Sequence, residues 1–383
     1  MNNYKETPFE QLRKRDGSHF SEDTIKNWYL ARAYVLEFLS GKEKEHPFSP
    51  DSNKHFHVVL TSDDSRMLFI ARQIALSAHY INFKEECEEE QSHCRTIISI
   101  VSKDTNIRQR LSKEEYLCNL PKYCRYVEGD KVDNPNSYID IELHIVSAPP
   151  TESKQEVILT IKKDDVDNFF NRVLDGDEDI FAIDTRKAFY AGRMYNIGET
   201  IDNLPAENIH HTKRYTMALN VYQYERLTEK PQRLFDIPIE EGKQYKLKET
   251  LSNVFCSDCF ESRANIIKGL NSTNLKDVTV LWEKYNEELS KSEHARWVVE
   301  KLIMGYRPLD EKEHHKDEEL RAQFKSNTKL KKYHDSLKRS DIELAHIDLC
   351  SYRDLRRINP NDLKYDSFLM LAIPKILEKV KRQ

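Results

Sequence analysis

The chain has 383 residues, of which 38% are hydrophobic and 33% charged, with a formal net charge of −5 and a pI near 6.3. This balance lacks the strong basic field of a typical nucleic-acid-binding domain, so nucleic acid is not expected as a partner. The opening residues lack the apolar segment of an export signal, and no apolar run reaches the ~18 residues of a membrane span. Composition therefore predicts a cytoplasmic protein without a membrane partner, and the length predicts two or three domains.

Seven cysteines in a chain without an export signal favour free thiols over a disulfide framework. Cys256 and Cys259 form a C-x-x-C pair, but no second pair of ligands stands at a spacing typical of a zinc site. We therefore expect no bound metal, and no motif for a cofactor is present.

Helices and strands alternate along the first part of the chain. Ser21 is predicted to cap a helix that ends at Gly41, in which Arg32 interrupts the apolar stripe and extends to water. Further helices are expected at Arg66–Tyr80, at Ile107–Leu120 and from Asp164. The predicted strands between and after them are His55–Leu60, Arg95–Val101, Ile139–Val146, Val157–Ile161 and Ile180–Ile183. This order predicts an α/β, Rossmann-like domain with a mostly parallel sheet, whose ligands lie beyond the carboxyl ends of the strands.

The turn after the first strand, Thr61–Arg66, is a secondary candidate site. Its hydroxyls, on Thr61, Ser62 and Ser65, open a helix whose backbone N–H groups could face an anion. Asp63 and Asp64 would repel a phosphate, and they are explained more simply as helix-capping residues. The turn has no glycine, so the G-x-G-x-x-G fingerprint is absent and dinucleotide binding is not expected.

The most specific pattern lies in a long helix predicted at Val278–Met304 and in the residues after it. The first stretch contains Glu293, His294, Arg296, Trp297, Glu300, Lys301, Gly305, Tyr306 and Arg307. A second stretch, His346–Leu355, contains His346 and Tyr352. A closing helix contains Lys364, Asp366, Ile373, Pro374 and Leu377. In order and spacing, the three stretches resemble the RyR domain, the helical module named after the repeats of ryanodine receptors.

The resemblance implies a mainly α-helical, RyR-like C-terminal domain at residues 276–383. A helical connecting region, residues 186–275, would join it to the Rossmann-like α/β domain with its N-terminal helix, residues 1–185. The resemblance also implies regulatory use and, in prokaryotes, a link to nucleotide-derived signals and antiviral defence.

Cationic and aromatic side chains of these stretches form the primary candidate site. His294, Arg296, Lys301 and Arg307 supply positive or donor groups, and Arg307 offers the planar fork that recognises phosphate or carboxylate. Trp297 or Tyr352 could stack on a planar ring beside His346. Packing offers alternatives. Trp297 could belong to the core, His294 could be a buried structural residue, and Arg296 could pair with Glu300 on a solvated helix face.

The sequence favours ligand sensing over catalysis. The motifs G-x-S-x-G, Walker A and H-E-x-x-H are all absent. We therefore expect a non-enzymatic regulatory protein that binds an anionic, nucleotide-derived small molecule and that has a possible protein partner or forms a homo-oligomer. The alternatives are a nucleotide-processing enzyme that uses the α/β domain and a purely protein–protein interaction module.

Overall fold

A computed structural model describes residues 14–46, 48–86, 93–150, 155–176, 251–252, 254–269, 275–310, 313, 339–340, 344–360, 363, 366–367, 369–371, 373–374 and 377. The predicted strand at Ile180–Ile183 and residues 186–250 of the predicted connecting region lie outside these residues, as does Lys364 of the closing pattern.

Helix α1, Glu22–Glu45, begins as predicted, because the Ser21 side chain accepts a hydrogen bond from the Thr24 backbone N–H. The helix does not end at Gly41 but continues for another turn. The expectation that Arg32 extends to water is wrong. Its guanidinium is buried and donates to Asp258, with Nε 2.8 Å from Oδ2. The carboxylate of Asp258, far away in the sequence, therefore pairs with the positive charge of Arg32 on the core side of the helix.

Six strands form one sheet in the order β4-β3-β5-β2-β1-β6. Their bounds are β1 His55–Leu60, β2 Thr96–Val101, β3 Arg125–Glu128, β4 Lys131–Asp133, β5 Ile141–Val146 and β6 Glu156–Ile161. All neighbouring pairs are parallel except the β3–β4 hairpin. The prediction of a mostly parallel α/β sheet is confirmed. The hairpin was not predicted, although Gly129, at φ +58°, supplies its turn.

Helix α2, Ser65–Ser77, follows β1 and is capped by the Asp64 side chain, which accepts from the Met67 N–H. The single helix predicted at Ile107–Leu120 is instead two short helices with turns between them. They are α3 Ile107–Leu111 and α4 Leu120–Tyr123. Helix α5, Lys163–Gly176, follows β6.

The chain becomes helical again beyond the sheet. The elements there are α6 Phe260–Gly269, α7 Leu275–Lys284, α8 Asn286–Ile303 and α9 Tyr352–Ile358. The helix predicted at Val278–Met304 is therefore broken at Tyr285, between α7 and α8. Helix α8 ends as predicted, since Met304 is its C-cap and Gly305 has a φ of +90°.

Three two-residue strands follow α8 and form a small sheet in the order β7-β9-β8. They are β7 Arg307–Pro308, β8 Arg339–Ser340 and β9 Ala345–His346. A small core lies beside them. The main core is shared, because helix α8 packs on α2 and contributes side chains to the same cluster as the sheet. The described residues thus form a mixed α/β fold in which α8 connects the sheet to the candidate site.

Candidate functional site

A row of rings brings together four of the seven primary candidates. Helix α8 carries His294 and Trp297 one turn apart, while β9 and α9 carry His346 and Tyr352. The ring centroids of Tyr352 and His294 are 5.7 Å apart, those of His294 and Trp297 6.1 Å, and those of Trp297 and His346 4.9 Å. We call this set the ring row. Four residues that the sequence analysis named as ligand candidates therefore lie next to one another.

His294 is the buried centre of the ring row. Its Nε2 lies 2.9 Å from the Cys350 carbonyl oxygen, to which it donates. Burial lowers the pKa of His294 to about 4, so the imidazole is neutral at pH 7. The side chain therefore ties α8 to the loop before α9 and contributes no positive charge to a ligand.

Lys301 and Trp297 lie together at the last turns of α8. The Lys301 ammonium is 5.7 Å from the Trp297 ring centroid, and it also lies 2.7 Å from Glu300 Oε1. Trp297 and His346 are only partly buried. Lys301 itself is buried and paired with Glu300, so the groups that solvent reaches at this end of the row are the two rings.

Arg296 does not join the row. Its side chain is fully buried, and its guanidinium donates to Glu293 at 2.9–3.0 Å and to Glu300 Oε2 at 2.6 Å. The pairing with Glu300 occurs as anticipated, but in the core and not on a solvated face. Arg263 Nη2 lies 2.7 Å from Glu293, so the cluster joins α6 to α8. Its contacts are those of a structural residue.

Arg307 stands beside the row because β7 pairs with β9, which places Pro308 opposite His346. Its guanidinium makes the two-pronged contact expected for a ligand anion, but the partner is Glu313. The two distances are 2.8 Å from Nη1 to Oε2 and 2.7 Å from Nη2 to Oε1. The pair is about one-third exposed. A side-chain carboxylate thus lies where a ligand phosphate was predicted.

The secondary candidates lie at the carboxyl ends of β1 and β6, where the strand order changes direction. Thr61 Oγ1 accepts from the Lys163 backbone N–H at 3.1 Å, and Ser62 Oγ lies 3.2 Å from the Asp64 N–H, from which it accepts. Ser65 is the exposed first residue of α2. Thr61 and Ser62 are therefore used to shape the turn, and Asp64 caps the helix as predicted.

Opposite charges already balance one another around this turn. The Ser102 hydroxyl donates to Asp63, whose carboxylate also lies 3.5 Å from Arg110. Arg110 reaches Asp104 at 3.0 Å, and Lys163 lies 3.4 Å from Asp64. These pairs leave little net positive charge to attract a phosphate at this edge of the sheet.

A polar relay crosses the middle of the sheet, and the sequence analysis did not predict it. His57 Nε2 lies 2.7 Å from Ser99 Oγ, and His57 Nδ1 lies 2.7 Å from Glu156 Oε2. Burial lowers the pKa of His57, against the opposing effect of Glu156. The order Ser–His–carboxylate resembles that of a catalytic triad. Ser99, however, is fully buried in the middle of β2, so a substrate does not reach its hydroxyl. The sequence contained one signal of this relay. His57 and His144 lie in predicted parallel strands, and such strands usually carry apolar side chains.

The C-x-x-C cysteines are buried, and burial raises the pKa of Cys259 to about 12. Within the described ranges, no group of three His, Cys, Asp or Glu side chains is placed to hold a metal ion. In the same residues, no helix has the length and apolarity needed to cross a membrane. Comparison with protein-family models, curated proteins and solved structures found no match to the chain.

Proposed function

We propose that the protein is a non-enzymatic regulatory protein whose RyR-like C-terminal part binds an anionic, nucleotide-derived small molecule. The observation that supports the proposal most directly is the ring row, with Lys301 over Trp297 at one end and Arg307 on the neighbouring strand. The resemblance of the sequence adds a role in prokaryotic antiviral defence signalling, which we include in the proposal.

The two ends of a nucleotide-like ligand need different partners, and this region supplies both. A planar base stacks on aromatic rings, a contact worth ~1–3 kcal/mol in nucleic-acid complexes. A phosphate needs a fork of N–H donors such as that of Arg307. The C-terminal end of α8 disfavours anions through the helix dipole, so the guanidinium must outweigh that effect.

Glu313 supports the same assignment. Its carboxylate engages Arg307 with both oxygens, which shows that the guanidinium is oriented for a two-pronged acceptor. The pair is only about one-third exposed and bidentate, a geometry stronger than that of an ordinary surface ion pair. A ligand phosphate must therefore bind Arg307 more strongly than this carboxylate does in order to displace it.

Mass spectrometry of small molecules released from the denatured native protein tests the proposal. Arg307→Lys keeps the charge but removes the planar fork. Arg353→Lys is the matched control, since Arg353 is an exposed arginine of α9 outside the row. We expect a phosphorylated, nucleotide-derived molecule from the unaltered chain and the control, and a loss of most of it from folded Arg307→Lys.

The alternatives give different results. Release of the same amount of ligand from Arg307→Lys would refute the site. Turnover of the released molecule by the protein would indicate an enzyme. A stable complex with another protein, formed without any small molecule, would indicate an interaction module.

A further inference from the structure

Strand β6 forms one edge of the main sheet. Among the strands that the structure describes, it pairs with β1 alone. The Thr61 backbone N–H donates to the Ile161 carbonyl oxygen at 3.2 Å, so the odd-numbered residues of β6 bond to β1. Successive residues of a strand direct their backbone groups to opposite sides, so those of Glu156, Ile158 and Thr160 point away from β1.

This outer edge of β6 lacks the features that usually protect an edge strand. The strand reads EVILTI, without proline and with a single charge, at its first position. Thr160 is exposed, and Val157 and Ile158 are partly exposed. Proteins usually protect such an edge with proline, charges or a covering segment, because its unpaired N–H and C=O groups bind another strand. The edge of β6 therefore fits an extended strand as its partner.

The charges at the two ends of β6 favour a second copy of the same strand, running antiparallel to the first. When Leu159 lies opposite itself, Glu156 lies opposite Lys162 of the second copy, and symmetry repeats this pair. Lys162 is exposed, and the Glu156 side chain is 25% exposed. A shift by two residues in either direction places Glu156 opposite Thr160 or Asp164 instead. Opposite charges across two strands are stabilising, so the first register is preferred.

The same register also matches the free backbone groups. Ile158 of one copy lies opposite Thr160 of the other, and both direct their N–H and C=O groups outward. Each such pair exchanges two N–H···O bonds, as hydrogen-bonded pairs of antiparallel strands do. Leu159 lies between these pairs, on the two-fold axis. The register set by the charges is therefore one that the hydrogen bonds allow.

We propose that β6 is a dimerisation edge, on which a second copy of this chain pairs its own β6 antiparallel, with Leu159 at the two-fold axis. The pairing joins the two six-stranded sheets into one. A two-fold interface of this kind is self-complementary and closes at the dimer. The dimer goes beyond the proposed function and does not depend on the ligand.

Sedimentation equilibrium of the full chain over a wide range of concentration tests the dimer. We expect the mass to rise with concentration to twice the 45.3 kDa of one chain, and no further. Thr160→Pro removes an outward N–H that β1 does not use, and proline is tolerated at such positions of edge strands. The variant should fold, by circular dichroism, and dimerise at least tenfold more weakly. Thr160→Val, which keeps the N–H and the branched side chain, is the matched control and should dimerise unchanged.

Charge reversal tests the partner of Glu156. Lys162→Glu and Glu156→Lys should each weaken self-association several-fold, because like charges then face each other twice. An equimolar mixture of the two variants should form a heterodimer, in which both facing pairs are again opposite in charge. Lys162→Glu changes an exposed side chain, so it keeps the test decisive if Thr160→Pro folds poorly.

Cross-linking tests the register. Facing residues without hydrogen bonds have Cα atoms ~4.5 Å apart in antiparallel strands, which is close enough for a disulfide. Leu159→Cys should therefore form a covalent dimer on mild oxidation. Val157→Cys should not, since the two copies of that residue lie roughly 13 Å apart along the strands.

Three outcomes would overturn the inference. One is a monomer at every concentration. Another is a dimer that Lys162→Glu and folded Thr160→Pro leave as stable as before. The third is a cross-link that forms in Val157→Cys but not in Leu159→Cys.

Discussion

The buried charge cluster on α8 allows a prediction about stability that the ligand hypothesis does not make. Three cations, Arg263, Arg296 and Lys301, surround two carboxylates, Glu293 and Glu300. Glu293→Gln preserves shape but leaves three positive charges against one negative charge. Breaking a buried pair by removing one partner costs ~3–5 kcal/mol, because an uncompensated charge remains in the core.

Removing a cation from the cluster, instead of a carboxylate, should cost less stability. Arg296→Met leaves two cations against two carboxylates, and Glu300 keeps both Lys301 at 2.7 Å and the Ser252 hydroxyl at 2.9 Å. Its cost comes mainly from lost hydrogen bonds, and it is limited because each carboxylate keeps a cation, Arg263 beside Glu293 and Lys301 beside Glu300. Glu293→Gln should therefore be the more destabilising of the two variants.

Urea unfolding followed by far-ultraviolet circular dichroism measures both changes. A loss of ~3–5 kcal/mol is a large part of the ~5–15 kcal/mol that stabilises a typical domain. It should lower the urea midpoint of Glu293→Gln by roughly 1–2 M. A midpoint for Glu293→Gln equal to that of the unaltered chain, or above that of Arg296→Met, would refute the charge argument. If Arg296→Met keeps the urea midpoint of the unaltered chain and loses only ligand affinity, Arg296 belongs to the binding site.

Two further predictions concern single positions. Burial lowers the pKa of His294 to about 4, below the ~6.5 of an unfolded chain, so the unfolded state binds the proton more tightly. Stability should fall by roughly 2 kcal/mol from this group between pH 7 and pH 5, and His294→Gln should show a shallower pH dependence of its urea midpoint. A slope equal to that of the unaltered chain would mean that His294 is not the titrating group. Gly305→Ala should cost ~1–2 kcal/mol because φ is +90° there, whereas Gly41→Ala, inside α1 with open space around it, should stabilise by up to ~1 kcal/mol. Thermal unfolding of both variants checks this pair, and equal shifts would contradict it.

Local features of the sequence determined much of the fold. The capping residues Ser21 and Asp64 were predictable because a short polar side chain before an apolar helix satisfies free N–H groups. The end of α8 was predictable because Gly305 accepts a left-handed backbone conformation. The strands could be located because a buried parallel strand needs a short run of apolar side chains. The residues of the ring row were named from the resemblance of the three stretches to the RyR domain, whereas their contacts came only with the fold.

The tertiary structure decided which charges are buried and which partners they meet. Arg32 and Asp258 are 226 residues apart, and neither neighbourhood indicates the other. Arg296 was assigned to a binding site because its charge is visible in the sequence. Its carboxylate partners, Glu293 and Glu300, are neighbours on the same helix, but its burial depends on how α6 meets α8. A charge near a motif can be read from a sequence, but its burial and its partner are fixed only when distant segments pack together.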